Sequence, residues 1–281
     1  ERPRKLSVTE IETLMRSPYD LYAKHVLRLT PLDALGEDPD ARERGTFIHA
    51  IFARFVFEER DPAAPDALAR LMEIATEEFA GLEAIGERRD IWLRRFATAA
   101  EQFLDYERGR SALVARRHAE ISGRWELKLA EPFAITGQAD RVDLLRDGTL
   151  EILDFKTGSP PSSASMKAFE APQLPVEAMM ALNAGLKDIP PADTSALTYI
   201  KIGLGPDAFK PSAFATADGM SVMAAAEEVF ARVQLHIEHF LFHQTALPAR
   251  LLPLKSQRFA GAYDHLARVD EWTAVDGEDE A

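Results

Sequence analysis

Apolar residues recur along this chain with two periods, and the changes between them predict its elements. Near the start, Leu6-Ser-Val-Thr-Glu10-Ile11 predicts a helix N-terminus. Ser7 can cap it, Glu10 can close a capping box, and Leu6 can staple onto Ile11. Ile11, Leu14 and Met15 share one helical face, Ser17-Pro18 breaks the run, and a second helical run spans Tyr19 to Leu29. Residues 1–5 read as linker and Asp33 to Asp40 as polar loop. Gly45-Thr46 opens an apolar helix, Phe47 to Phe57, in which Ile48, Ile51, Phe52 and Phe55 have core spacing. Asp61 to Pro65 links it to helices over 66–80 and 87–118, where Trp92, Phe96, Phe103 and Tyr106 recur at helical spacing. A strand is predicted from Glu120 to Phe133. After a hairpin and a Ser/Pro-rich loop (Gly158 to Ser165) come a helix from Ala171 to Leu182 and a strand from Ala196 to Ile202. A weaker extended segment runs to Phe214, a long helix spans 218–244, and the tail contains Pro248 and Pro253. The order predicts an α/β fold with a small central mixed sheet, flanked by helices and carrying a large helical share.

The hairpin carries the chemistry. Gly137 to Gly158 holds two strand-like runs around Asp147-Gly148, a strong turn signal between alternating apolar positions. Alternation puts Gln138, Asp140, Val142 and Leu144 on one face of the first run. It puts Ile152, Asp154 and Lys156 on one face of the second, with Leu153 and Phe155 turned toward a core. Two carboxylates and a lysine on adjacent strands suit a hard divalent cation, which takes oxygen ligands from one or two carboxylates, water and substrate phosphates. A lysine beside it can orient or deprotonate water, or neutralise charge in the transition state. The same residues also fit a solvated hairpin face with a surface ion pair. His49, among large hydrophobes, reads by itself as a core or boundary residue.

Composition narrows the class. The 281 residues, 46% hydrophobic, suffice for one large or two smaller domains. No apolar run approaches the roughly 18 residues of a membrane span, and no signal peptide is evident. There is no Cys, which excludes disulfides, thiolate zinc sites and cysteine-held iron–sulfur clusters and agrees with a cytoplasmic setting. The net charge of −13 argues against a freestanding non-specific DNA binder, because phosphate contacts dominate such affinity. It leaves room for a nuclease whose cation, or whose partner subunit, supplies positive charge. The arginines at 88, 89, 94, 95, 108, 110, 116 and 117 form the main basic concentration and read by default as a solvated helix face, with DNA contact as the alternative. The chain starts at Glu1 without Met, which reads as a piece of a longer polypeptide.

Taken together, Gly45-x-x-x-His49, Gly137-x-x-Asp140-Arg-Val-Asp143, Ile152-Leu-Asp154-Phe-Lys156-Thr-Gly and Pro172-Gln173-Leu resemble the RecB-type nuclease domain of the PD-(D/E)xK superfamily. The opening Leu6-Ser-x-Thr with Ser17-Pro18-Tyr, and Tyr263-Asp-His-Leu-Ala-Arg near the end, resemble more narrowly the C-terminal nuclease region of AddB-type subunits. Such a subunit belongs to the AddAB helicase–nuclease, which resects double-strand DNA breaks.

The resemblance implies a restriction-endonuclease-like core and a metal-dependent, exonuclease-type deoxyribonuclease. His49, Asp140, Asp154 and the Phe155 carbonyl would hold Mg²⁺ or Mn²⁺. Lys156 would act on the attacking water, and Gln173 would steady the lysine or contact DNA. The implied partners are DNA, as a single strand fed by a helicase, and an AddA-type helicase–nuclease subunit; no membrane is implied. One domain is expected over 1–281, with a helical part (6–118), a catalytic core (119–215 with helix 46–60) and a C-terminal helix and tail (218–281). Two positions depart from the pattern. The family's first cluster cysteine is Ser17 here, so no iron–sulfur cluster is expected and the chain ends are expected to be held by packing alone. The Tyr usual four residues after the Gln is Glu177, which puts the DNA contacts there in doubt. The alternative is a nuclease-like scaffold that binds DNA or a helicase partner without cutting.

Overall fold

The computed structural model describes residues 1–31, 40–80, 86–203, 207–251 and 261–268. Among these, six strands form one mixed sheet: β1 (Lys5–Ser7), β2 (Val114–Lys128), β3 (Pro132–Leu145), β4 (Leu150–Lys156), β5 (Thr194–Ile202) and β6 (Phe209–Ala213). β3 organises it. One edge of β3 pairs antiparallel with β2 along nearly its whole length. The other edge is shared: β1 runs parallel to Ala134–Thr136, and β4 runs antiparallel to Arg141–Leu144. Gly137 to Asp140 lie in the gap between these two pairings. β5 lies parallel to β4, and β6 closes the far edge antiparallel to β5.

Helices cover both faces. α1 (Val8–Arg16), α7 (Gln173–Leu182) and α8 (Val222–Ile237) pack on one side, with Ile11, Leu14, Leu174 and Val229 in a core with Val142, Ile152 and Leu197. On the other side lie α3 (Asp40–Phe57), α4 (Ala67–Phe79) and α5 (Gly86–Arg110), whose Phe52, Leu71, Phe96 and Phe103 bury Leu153, Phe155 and Ile200. The opposite destinations of Ile152 and Leu153 follow from the two-residue period of β4. Short helices α2 (Pro18–Leu21) and α6 (Ser163–Lys167), and π-helical turns at Tyr22–Val26 and Glu238–Phe242, complete the described elements. No described helix is long and apolar enough to cross a membrane.

The expected mixed sheet flanked by helices is present, as is the Ser7–Glu10 capping box of α1. Gly148 sits in the hairpin turn with φ 87°, a conformation that only Gly adopts without strain. Several boundaries differ from expectation. The helix expected over 87–118 ends at Arg110, and β2 begins at Val114; pairing with the long β3 overrides the helical tendency of its Ala and Arg residues. The strand expected from Glu120 to Phe133 is two strands, broken before Pro132, which lacks the N–H to continue a ladder. Residues 5–7, read partly as linker, form β1. α3 begins at Asp40, not Gly45. Gly45 instead marks a close approach, since a Cβ there would lie 3.1 Å from Thr157 Oγ1. The expected loop residues 33–39, the tail residues Pro253, Lys255 and Arg258, and the side chains of Arg88 and Arg89 lie outside the described residues.

The basic concentration is not one solvated face. Arg94 and Arg95 are exposed, but Arg110, Arg117 and Arg141 enter a buried ion network with Glu107, Asp143 and Glu151. The ends of the chain are held by more than packing. Arg2 donates to the carbonyls of Phe240, His243 and Thr245, Leu251 N–H donates to Arg16 O at 2.7 Å, and Tyr263 Oη donates to Leu29 O at 2.7 Å. Arg250 pairs with Asp264.

Candidate active site

The site forms where β3 and β4 part. Their pairing stops at Arg141–Leu153, so the next N–H of β4 has no strand partner on that side. Asp140 takes its place: Phe155 N–H donates to Asp140 Oδ2 at 2.8 Å. Strict alternation would put Asp140 on the face of Val142. Ala139 and Val142, three residues apart, both lie in the core under α1 and α7, so the alternation slips once between them. The slip lets Asp140 meet α3, where His49 Nδ1 lies 3.5 Å from Asp140 Oδ2. The His49 ring also stands edge-on to Phe155, 5.8 Å between centroids.

Asp154 and Lys156 occupy the end of β4. Asp154 is buried, and the Lys156 ammonium donates to its Oδ1 at 2.9 Å and lies 2.8 Å from its Oδ2. Gln173, the first residue of α7, accepts from Lys156 at 2.8 Å and donates back to Asp154 Oδ1. The expected residues thus fall into two linked groups: His49–Asp140 on the α3 side, and Asp154–Lys156–Gln173 on the α7 side. Phe155 joins them; its N–H donates to Asp140, and the residue lines the groove beside His49.

Glu120 completes the first group, and the sequence reading missed it. Its carboxylate lies with His49 and Asp140, the three ligand atoms all within 4.8 Å of one another. The signal was register. Carried back from Lys128–Pro132, the β2–β3 ladder puts Glu120 opposite Asp140. Reading Glu120 to Phe133 as one strand hid the turn that sets this register. Glu120 also has φ 51°, a left-handed conformation that costs a non-glycine residue of order 1–3 kcal/mol and is found mostly where function maintains it.

The electrostatics describe a pocket crowded with carboxyls. Burial first, and then the charge of Asp140, push the Asp154 carboxyl up to about 6, against the opposing charge of Lys156. Burial and Asp140 also raise Glu120, against Gln138 and His49. Burial alone would lower His49, but its hydrogen bond to Asp140 and the charges of Asp140, Asp154 and Glu120 outweigh this and raise it. Glu177, one turn beyond Gln173 and hydrogen-bonded to it, is buried, and its carboxyl is raised well above the usual range by that burial and by Asp154 and Asp140. It is therefore a support beneath Gln173 rather than a surface DNA contact. A divalent cation fits this donor set, since two carboxylates and an imidazole converge where added positive charge relieves repulsion. The groove beside them measures about 690 Å³ and is lined by Gly45, Thr46, His49, Ala50, Ala53, Phe57, Glu120 and Phe155 to Gly158.

The neighbouring residues of the Asp140 motif have a different task. Arg141 and Asp143 are buried and bonded to each other at 2.8 Å, and Arg141 reaches Glu107 of α5 at 2.8 Å. They fix β3 beneath α5 while Asp140 turns to His49 of α3.

The family model described as the PD-(D/E)XK nuclease superfamily matches residues 5–271. The chain belongs to the PD-(D/E)XK nuclease superfamily. An uncharacterized protein of Rickettsia typhi is 30% identical over 208 residues, 72% of this chain and 24% of that protein. An uncharacterized protein of Rickettsia bellii is 29% identical over 184 residues, 65% of this chain and 22% of that protein. A protein of Streptococcus mutans, named as a subunit of an ATP-dependent helicase/deoxyribonuclease, is 26% identical over 159 residues, 56% of this chain and 14% of that protein. The chain thus spans about a quarter or less of the length of these relatives.

Proposed function

We propose that this nuclease-superfamily domain is a metal-dependent deoxyribonuclease that hydrolyses phosphodiester bonds in an exonuclease-type role. One observation carries the reading: His49, Glu120, Asp140, Asp154, Lys156 and Gln173 converge on the single gap between β3 and β4. His49, Glu120 and Asp140, with Asp154 next to them, would hold Mg²⁺ or Mn²⁺. When bound, such an ion supplies Lewis acidity toward a phosphoryl oxygen and acidifies water. Lys156 is the cation of this group; as an ammonium it can stabilise charge on the phosphate, and only in its neutral form can it accept a proton from the attacking water. Gln173, backed by Glu177, fixes where the ammonium rests. Asp140 holds the two strands at their parting through Phe155 N–H.

The wider role we infer is that of an AddB-type subunit, resecting double-strand break ends in recombinational repair beside an AddA-type helicase partner that feeds it single-stranded DNA. The match to a protein named as a helicase/deoxyribonuclease subunit supports it, as does the acidic chain, which favours a partner that supplies the basic DNA channel.

The test is digestion of end-labelled single-stranded DNA with Mg²⁺ or Mn²⁺. The wild-type chain is expected to shorten the strand. Asp154→Ala and Lys156→Ala are expected to lose about 100-fold or more of the rate while keeping the wild-type circular dichroism spectrum. Equal cutting by either variant would sink the mechanism.

A further inference from the structure

The groove extends past the residues that would do chemistry. Along α3, His49, Ala53 and Phe57 follow one another at helical spacing on one face, and all three line the groove. Ala53 makes the middle of this face shallow. At its end Phe57 is 62% exposed, although the other aromatic residues of α3 with core spacing, Phe52 and Phe55, are buried. Phe57 stands about 12 Å from His49 along the helix axis, by the rise per residue. Burial does not account for an exposed aromatic ring at the end of a groove that begins at a hydrolytic site.

Beyond it the lining is of mixed charge: Val56, Glu59 and Arg60 line a second hollow of about 340 Å³ together with Glu107 of α5 and Arg117 of β2. Arg117 is committed to Glu107, and Arg60 lies near Glu58 and Asp66. The path from the site therefore runs from carboxylates to a small-residue floor and on to an aromatic face. That sequence suits a single strand of nucleic acid, because an aromatic ring offers each base a stacking surface regardless of its identity. A duplex offers no such base, since both faces of each base are already stacked.

We propose that the exposed face of α3 is a single-strand subsite, in which Phe57 stacks on an unpaired base flanking the cut. The proposal rests on the nuclease reading above and adds the location of substrate binding.

The 281-residue chain carrying Lys156→Ala, expected to hold DNA without cutting it, is titrated against a fluorescently labelled oligothymidylate, read by anisotropy. Adding Phe57→Ala is expected to weaken binding roughly tenfold, the value of one stacked base, while Phe57→Trp retains it. A single abasic position, moved along the strand, is expected to weaken binding at one place in the Phe57 chain and to add nothing in the Phe57→Ala chain. Phe57 is exposed, so an unchanged melting temperature will certify the fold of its variants. Equal affinity of the Phe57 and Phe57→Ala chains, equal affinity for blunt duplex, or an abasic penalty that persists without Phe57 would overturn the subsite. If the wild type still cuts in an Asp154-dependent manner, the nuclease reading survives that result. Absence of both binding and cutting would remove the two together.

Discussion

At the scale of single residues, the site is built from groups held against their preferences. Asp154 has an ordinary pKa of 3.8, and its buried place beside Asp140 raises this to about 6. Between those values the folded chain binds more protons than the unfolded one, so this group favours folding below about pH 4. Its contribution is lost as pH rises through about 6. At pH 8 its charge opposes folding by about 3 kcal/mol. Asp154→Asn, which keeps the shape and removes the charge, is therefore expected to stabilise the metal-free chain by about 1–3 kcal/mol at pH 8. The gain is expected to vanish near pH 4. Urea denaturation in chelator at the two pH values checks this, and equal stability at pH 8 would show that Asp154 is not strained electrostatically. Glu120 is tested differently. If it shares the cation with His49 and Asp140, Glu120→Gln is expected to weaken Mn²⁺ binding at least about tenfold in calorimetry. Unchanged affinity would return Glu120 to a partner of Gln138 alone. Asp140, Asp154 and Lys156 were nameable from their spacing on the hairpin, and His49 and Gln173 only through the family resemblance. Glu120 was not, because its place depends on where one turn falls.

At the scale of elements, the decisive feature is the gap along β3 where β1 has ended and β4 has not begun. Gly137 begins that gap. A Cβ there would come within 2.7 Å of Val8 Cγ2 in α1, and a β-branched side chain in a helix has little freedom to move aside. Gly137→Ala is expected to cost about 1–3 kcal/mol by overpacking. Val8→Ala, mildly destabilising by itself, is expected to recover most of that loss in the double variant. Additive losses, measured in a double-mutant cycle, would place the cost in the backbone of Gly137 rather than in the contact. The first glycine of the Gly137-x-x-Asp140 motif thus reads as a packing requirement that brings α1 down beside the site. Pattern alone identified the hairpin, its Asp147-Gly148 turn and the amphipathic helices. It misplaced the change from α5 to β2, because residues 111–118 contain nothing locally incompatible with a helix and are drawn into the sheet by their partner strand.

At the scale of the molecule, two helical layers must hold the sheet still at its weakest point. On the α5 side this falls to the network of Arg110, Arg117 and Arg141 with Glu107, Asp143 and Glu151. Burial would raise Glu107, but the nearby charges of Arg141, Arg117 and Arg110 hold its carboxyl below the usual range. Removing one member of such a network leaves a buried charge without its partner. Arg141→Ala is therefore expected to destabilise the chain by about 3–5 kcal/mol, far more than loss of the exposed Arg94. Urea denaturation checks it; a loss below about 1 kcal/mol would mean that the network is solvated and dispensable. The chain ends are joined on the other side of the molecule by hydrogen bonds. Arg2 gathers three carbonyls after α8, and Tyr263 reaches back to Leu29.

The sequence by itself determined the fold class and the hairpin that carries Asp140, Asp154 and Lys156, because these depend on local period and on residue types that only a few chemistries use; His49 and Gln173 came from the resemblance to a known family. Tertiary structure decided the rest. It selected which residue of Gly137-x-x-Asp140-Arg-Val-Asp143 turns to His49 and which are buried as ion pairs, through a slip in alternation that no periodic pattern encodes. It brought Glu120 across from Asp140, through a register fixed by a distant turn. It showed Glu177 to be buried beneath Gln173, and it left Phe57 uncovered at the end of the groove. Burial and register are properties of pairs of elements, and a single chain read in order contains only one member of each pair at a time.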